Sequence, residues 1–357
     1  MASDKTEKRK GSHVRVCLGK NVEACCKNAG FEDVEFLHVA LPELDLERLS
    51  TQSRMLGKKL DAPIVIEAMT GGYEEGKKIN LALAEAAEEE KVALGLGSMR
   101  AMLENEKLTD TYAVREVAPK IPIIGNIGIP QLKEGDWELI NKALMRVEAD
   151  ALAVHINPLQ EAIQKEGDKN FELGIKAIEK ACEKITIPVI AKETGAGITR
   201  EVAEMLEAAG VSMIDVAGVG GTSWSAVEQY RDKNAASGFE EWGLTTAHSI
   251  VEASSSVEIP VIGSGGVRSG VDIAKCIALG AQYGGAALPF LKVWEKKGAE
   301  GVKELLREWK MQLKIAMFLT GSRDLEALGN AKIIIMGRTS ELLEARGYEV
   351  KKFSERK

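Results

Sequence analysis

The chain has 357 residues, a length that one α/β barrel with an extension can hold without dividing into separate domains. Hydrophobic residues make up 45%, charged residues 28% and aromatic residues 5%, the balance of a soluble globular protein, which argues against disorder. The formal charge of −7 gives no reason to expect a nucleic-acid or anionic-membrane partner, so any anionic ligand has to be held by local features.

The amino terminus, MASDKTEKRKGSH, is polar and lacks the apolar stretch of a leader. No later segment reaches ~18 uninterrupted apolar residues, so neither secretion nor membrane spanning is expected. The run Lys8 to Lys10 is expected to be mobile until a ligand binds. The cysteines, Cys17, Cys25, Cys26, Cys182 and Cys276, are odd in number and hold no CxxC pair, which speaks against a disulfide framework or a zinc site and for a reducing cytoplasm. Residues 1–60 precede the first predicted strand as an N-terminal extension. Within it the segment VEFLHVALPELDL (34–46) is expected to form an extended cap over the bottom or side of the fold.

From residue 61 onward, short β-branched runs alternate with segments of helical periodicity, the pattern of a parallel sheet covered by helices. Strands are predicted at 63–69, 92–97, 121–126, 151–156, 187–193, 212–218, 259–264 and 282–288. Segments such as 76–91, 199–210 and 270–280 carry apolar residues three and four apart and are suited to cover the outside. Eight regular repeats favour a closed TIM (β/α)8 barrel over a doubly wound open sheet. The connection 223–247 is long, and long βα loops of barrels often close over ligands.

In such a barrel the C-terminal strand ends share one mouth, and here they are polar. Thr70, Gly71 and Gly72 follow the first strand, Ser98 and Arg100 the second, Asn126 the third, and the cluster HINPLQE (155–161) the fourth. Lys192 ends the fifth and Thr222 follows the sixth. GSGGVRSG (263–270) follows the seventh, where glycine lets a backbone approach an anion and the next helix offers N–H groups, a phosphate cradle. A lysine ending a buried strand needs an anionic partner. That partner is either a salt bridge to Glu193 or Asp215, or the electron-rich N1/O2 side of a flavin.

These stretches together resemble the type 2, FMN-dependent isopentenyl diphosphate isomerases, over nearly the whole chain. The resemblance rests on RKGSHV (9–14), AMTGG (68–72), GLGSMR (95–100), GNIGIPQL (125–132), HINPLQE, KETGAGI (192–198), GVGGTSW (218–224), GSGGVRSG and MFLTGS (317–322). The glycine motifs occur in other FMN barrels, whereas HINPLQE with an N-terminal RK pair is far more specific.

The resemblance implies a diphosphate substrate held by Arg9, Lys10, Ser98, Met99, Arg100, His155, Asn157 and Gln160, with Gln160, His155 and Asn157 at the reaction centre and Glu161 on a Mg²⁺. It implies FMN, active when reduced, on Ala68, Met69, Thr70, Ser98, Asn126, Lys192, Thr222, Gly265, Gly266, Val267, Arg268, Ala287 and Leu288. It further implies NADPH or NADH as reductant and a homo-oligomer, tetramer or octamer. Met99 and Ala217 depart from the glutamine and serine common at these places, and each removes a polar contact. Two rival readings use the same cradle: a 2-hydroxy-acid oxidase, whose histidine base would have to be His248, and a non-catalytic phosphate-binding barrel, which leaves Glu161 beside Gln160 unexplained.

Overall fold

The structure is a computed structural model that describes residues 2–24 and 26–356, with side chains from Arg9 onward. Cys25 and the side chain of Lys8 lie outside the described residues. Eight strands close into a parallel barrel in chain order. They are β1 (Ile64–Ile66), β2 (Ala93–Gly95), β3 (Ile123–Gly128), β4 (Ala151–Ile156), β5 (Val189–Glu193), β6 (Met213–Asp215), β7 (Val261–Ser264) and β8 (Tyr283–Ala286). Seven lie inside a predicted run, and β3 continues two residues beyond the run predicted at 121–126.

Successive strand residues face opposite sides, so the barrel interior can be followed by twos. Val65, Ala93, Ile124, Ala153, Ile190, Met213, Ile262 and Tyr283 form one buried apolar cluster. Two residues further along each strand stand Glu67, Gly95, Asn126, His155, Lys192, Asp215, Ser264 and Gly285. The inward layer thus changes from apolar to polar in one step, and the polar layer is the floor of the mouth. Register places three of these side by side, with His155 opposite Lys192 and Lys192 opposite Asp215.

The extension adds a hairpin and an ordered helix that the sequence did not lead one to expect. The hairpin Ser53–Met55 and Lys58–Leu60 closes the bottom, because Met55 and Leu60 belong to the same interior cluster. Segment 34–46 lies at the side, one of the two positions expected for it: its strand Val34–Phe36 pairs antiparallel with Ile333–Ile335. Alternation in the hairpin is too brief to have marked it. The Arg9–Lys10 pair, expected to be mobile, lies in a helix, Ala2–Gly19, that packs on helices Arg100–Glu104, Trp224–Arg231 and Leu288–Leu319 across the mouth. Arg9, Lys10, His13, Val14 and Cys17 recur at helical spacing on the face that lines the cavity. Among the described residues, no helix is long and apolar enough to cross a membrane.

Candidate active site

A cavity of about 250 Å³ opens above the polar layer, between the N-terminal helix and the strand ends. It has two ends of different construction. At one end is backbone. Gly265 has φ +102, and a Cβ there would lie 2.1 Å from the carbonyl oxygen of Gly218, so only glycine permits this turn to lie against the strand-six loop. The N–H groups of Gly265, Gly266 and Ala287 have no acceptor among the described residues, and all three residues line the cavity.

The helix expected to add its amino terminus to this cradle is already capped. Ser269 Oγ accepts from Asp272 N at 3.1 Å, Gly270 N donates to Gln312 Oε1 at 2.7 Å, and Arg268 N donates to Asp272 Oδ2 at 2.8 Å. The helix that does face the cavity begins after β8, at Leu288, with proline in its first turn. Glu23 takes up two cations near the cradle, pairing with Arg268 and, at 2.9 Å, with Lys292. These donors and glycines fit the phosphate of FMN.

The other end is made of side chains. Arg9, Lys10 and Arg100 line it together. Lys10 is 9% exposed and donates to Tyr112 Oη at 2.5 Å and to the Ser98 carbonyl, two neutral acceptors. Burial, then the neighbouring Arg9, pulls its ammonium down to about 7. Asn126 Oδ1 stands 2.7 Å from His155 Nδ1. Burial, followed by the cations Lys10 and Lys192, lowers His155 to about 4, so the ring is neutral near pH 7. With the amide oxygen of Asn126 facing the ring, the proton sits on Nδ1 and Nε2 is an acceptor.

The HINPLQE cluster is tied together at this end. Asn157 Nδ2 donates to Gln160 Oε1 at 3.2 Å and to Glu161 Oε1 at 3.0 Å, and Asp168 N donates to Glu161 Oε2 at 2.7 Å. Asn157 Oδ1 is buried without a partner among the described residues. Gln160 Nε2 donates to Glu228 Oε1 at 3.2 Å. Glu228 also holds His13 at 2.9 Å and Arg231. Despite burial, these partners, His13 first, keep its carboxyl below the usual range. No group of three or more His, Cys, Asp or Glu among the described residues could cage a metal. Glu161 beside the orphaned Asn157 oxygen instead suits Mg²⁺, which usually takes one or two carboxylates and completes its shell with substrate phosphate and water.

Most of the predicted site residues do line this one cavity, and three do not. Met99 is 0% exposed, its side chain packed in the core and its N–H bonded to the Asn126 carbonyl, so its side chain does not line the cavity. Val267 is likewise core, and Thr70 is buried outside the lining. Lys192 bonds Asp215 and, at 3.0 Å, Glu67, whereas the Glu193 carboxylate accepts from the N–H groups of Thr194, Gly195 and Ala196. His248 is 2% exposed in helix Thr246–Ser254, bonded to Glu252 at 3.2 Å and away from the cavity, so it is not placed to act as an oxidase base. Tyr112, Glu67, His13 and Glu228 were not foreseen. His13, four residues after Arg9, and the lone carboxylate in PIVIEAM were the signals available.

A family model for FMN-dependent dehydrogenase matches residues 132–335. The isopentenyl-diphosphate delta-isomerase of Archaeoglobus fulgidus is 48% identical over 348 residues, which are 96% of this chain and 99% of that protein. The Pyrococcus furiosus protein of the same name is 46% identical over 96% of this chain and 90% of its own length. Among solved structures, a mandelate oxidase superposes with a TM-score of 0.64 at 18% identity, covering 94% of this chain and 99% of its own. A lactate oxidase from Pediococcus acidilactici gives 0.67 at 15% identity, covering 94% of each chain. These two share the fold. The chain belongs to the isopentenyl-diphosphate delta-isomerase family, enzymes built on the FMN-dependent barrel.

Proposed function

We propose that the protein interconverts isopentenyl and dimethylallyl diphosphate on the reduced form of bound FMN, with Mg²⁺ between Glu161 and the diphosphate. The observation that carries this reading is that one cavity has two anion-holding ends, a glycine cradle for a cofactor phosphate and the Arg9, Lys10 and Arg100 cations for a substrate diphosphate. A single-phosphate binding protein has no use for the second.

The reaction adds a proton at one carbon and removes one from another, with no net redox change. When bound, reduced FMN would supply an electron-rich ring and a transferable proton. The chain's own residues do the rest. Arg9, Lys10 and Arg100 bind the diphosphate; Lys10, held by Tyr112 and the Ser98 carbonyl, is preorganised for it. Asn157 orients Gln160 and Glu161 through its amide, and Glu228 holds the other end of Gln160, so that this amide is fixed at the cavity wall. Trp224 packs edge-on against His13 at 5.2 Å and helps the N-terminal helix exclude water. Ala68, Met69, Asn126, Lys192, Thr222, Ala287 and Leu288 would hold the flavin. NADPH or NADH as reductant, a homo-oligomeric tetramer or octamer and a cytoplasmic location complete the reading.

Anaerobic turnover of isopentenyl diphosphate with dithionite or NAD(P)H, compared with the oxidised enzyme, tests it. Activity should need the reduced flavin without consuming reductant stoichiometrically. Equal rates with fully oxidised flavin would overturn the mechanism.

A further inference from the structure

The floor of the cavity holds a charge imbalance that phosphate binding does not explain. Lys192 of β5 meets two carboxylates, Asp215 of β6 and Glu67 just beyond β1, and all three belong to the polar interior layer. Asp215 is 1% and Glu67 6% exposed. Two anions facing one cation in a buried site leave one negative charge without a counterion, a costly arrangement.

The hydrogen bonds say which carboxylate is the weaker anion. Asp215 has both oxygens satisfied, Oδ2 by Lys192 and Oδ1 by Ser264 Oγ at 2.5 Å. Glu67 has Oε2 on Lys192 at 3.0 Å, while its Oε1 is buried with no partner among the described residues. The other strands offer it no second cation: Gly95 and Gly285 stand on the flanking strands, Asn126 and Ser264 are neutral, and His155 is neutral near pH 7. Burial, then Asp215, raises the Glu67 carboxyl to about 7, against the pull of Lys192. Room has been left for it, since a Cβ on Gly285 would lie 2.2 Å from Glu67 Oε1. That spacing accounts for Gly285, whereas its neighbour Gly284 is kept small by the core, where a Cβ would lie 2.3 Å from Ile273 Cδ1.

We propose that Glu67 is a positioning residue that carries the one exchangeable proton of the Glu67–Lys192–Asp215 group, and that this proton sets the charge beneath the bound flavin and tunes its reduction potential. The proposal rests on FMN occupying the cavity but not on the isomerase chemistry. Electrons added above the floor draw the proton onto Glu67, and by linkage the proton favours reduction. Below the window the carboxyl is protonated in both redox states; above it, in neither.

Spectroelectrochemical titration of the holoenzyme across neutral pH tests this. In a window around neutrality the midpoint potential should fall more steeply in the native protein than in Glu67→Gln, by one proton per two electrons. A tenfold change per pH unit is then about 30 mV per unit. Parallel curves for the two proteins at every pH would overturn the proposal. Should Glu67→Gln fail to fold, reduction-minus-oxidation infrared spectra of the native holoenzyme near neutrality read the same proton. A protonated-carboxyl C=O band should grow on reduction, and its absence would overturn the proposal too. Protein that binds no flavin at all would sink the FMN assignment and this inference with it, whereas bound flavin with parallel curves removes this inference alone.

Discussion

If the cavity takes FMN and a diphosphate as proposed, its two ends solve the same problem, holding an anion, in opposite ways. The cradle end uses N–H groups of Gly265, Gly266 and Ala287, whose positions are set by backbone conformation. The diphosphate end uses side chains drawn from far apart in the chain, with Lys10 anchored by Tyr112 and Gln160 by Glu228. A backbone site tolerates no added atom but needs no particular side chain. A side-chain site tolerates small shape changes but fails when a charge or an anchoring partner is removed. The substitutions that matter at each end therefore differ in kind.

Gly265→Ala is the most severe test of the cradle. A left-handed φ of +102 and a Cβ 2.1 Å from the Gly218 carbonyl oxygen leave no place for the methyl group. Strain of about 3 kcal/mol, or local rearrangement, should weaken FMN binding at least ~100-fold. Fluorescence titration of apoprotein with FMN would read it, and affinity within about threefold of native would show that the cradle lies elsewhere.

At the other end, Glu161→Gln keeps shape and removes charge. Neutralising the one carboxylate assigned to Mg²⁺ should lower kcat/KM at least ~30-fold, equivalent to about 2 kcal/mol, with the flavin spectrum unchanged. A native rate with the same Mg²⁺ midpoint would take Glu161 out of the metal site.

Lys10 gives the side-chain end a pH dependence that the cradle lacks. Its ammonium, lowered to about 7 in the free protein, should be raised when a diphosphate binds beside it. Affinity is then full below pH 7 and declines as pH rises, by up to about tenfold per unit until the pKa of the complex is passed. Calorimetry at pH 8 in buffers of different ionisation enthalpy should register close to one proton taken up per diphosphate bound. Lys10→Ala should abolish that uptake and raise KM about tenfold. Identical proton uptake in the variant would assign it to another group.

The contrast also explains what could be read from sequence. Barrel strands were legible because apolar runs recur eight times with turn residues between them, and the close turn at Gly265 was legible because glycine marks backbone approach locally. The capped start of helix Gly270–Ala278 was only half legible: Ser269 and Asp272 cap it locally, but the Gly270 N–H is taken by Gln312, a residue more than forty positions away. Glu67 was hidden for a related reason: inside PIVIEAM it reads as an interruption of a strand, and its meaning comes from Lys192 and Asp215 across the barrel. Tyr112 and Glu228 gain their roles only when helix Ala2–Gly19 lies over the mouth, a docking no local pattern encodes.

Met99 supplies the smallest expected effect and the sharpest boundary between the two kinds of site. It stands between Ser98 and Arg100, both on the cavity, yet its side chain turns into the core, where its Sδ would lie 3.1 Å from a Cβ on Gly125. The methionine at this position therefore concerns packing under the β2 loop. Met99→Leu preserves volume and should cost less than about 1.5 kcal/mol in a urea unfolding midpoint, with KM for isopentenyl diphosphate and FMN affinity unchanged. Met99→Gln would bury an amide among apolar neighbours and should cost more stability than the leucine, by about 1–3 kcal/mol. If Met99→Gln instead left stability intact and lowered KM, the side chain at this position would have to reach the diphosphate, and the side-chain end of the cavity would extend one residue further than its geometry shows.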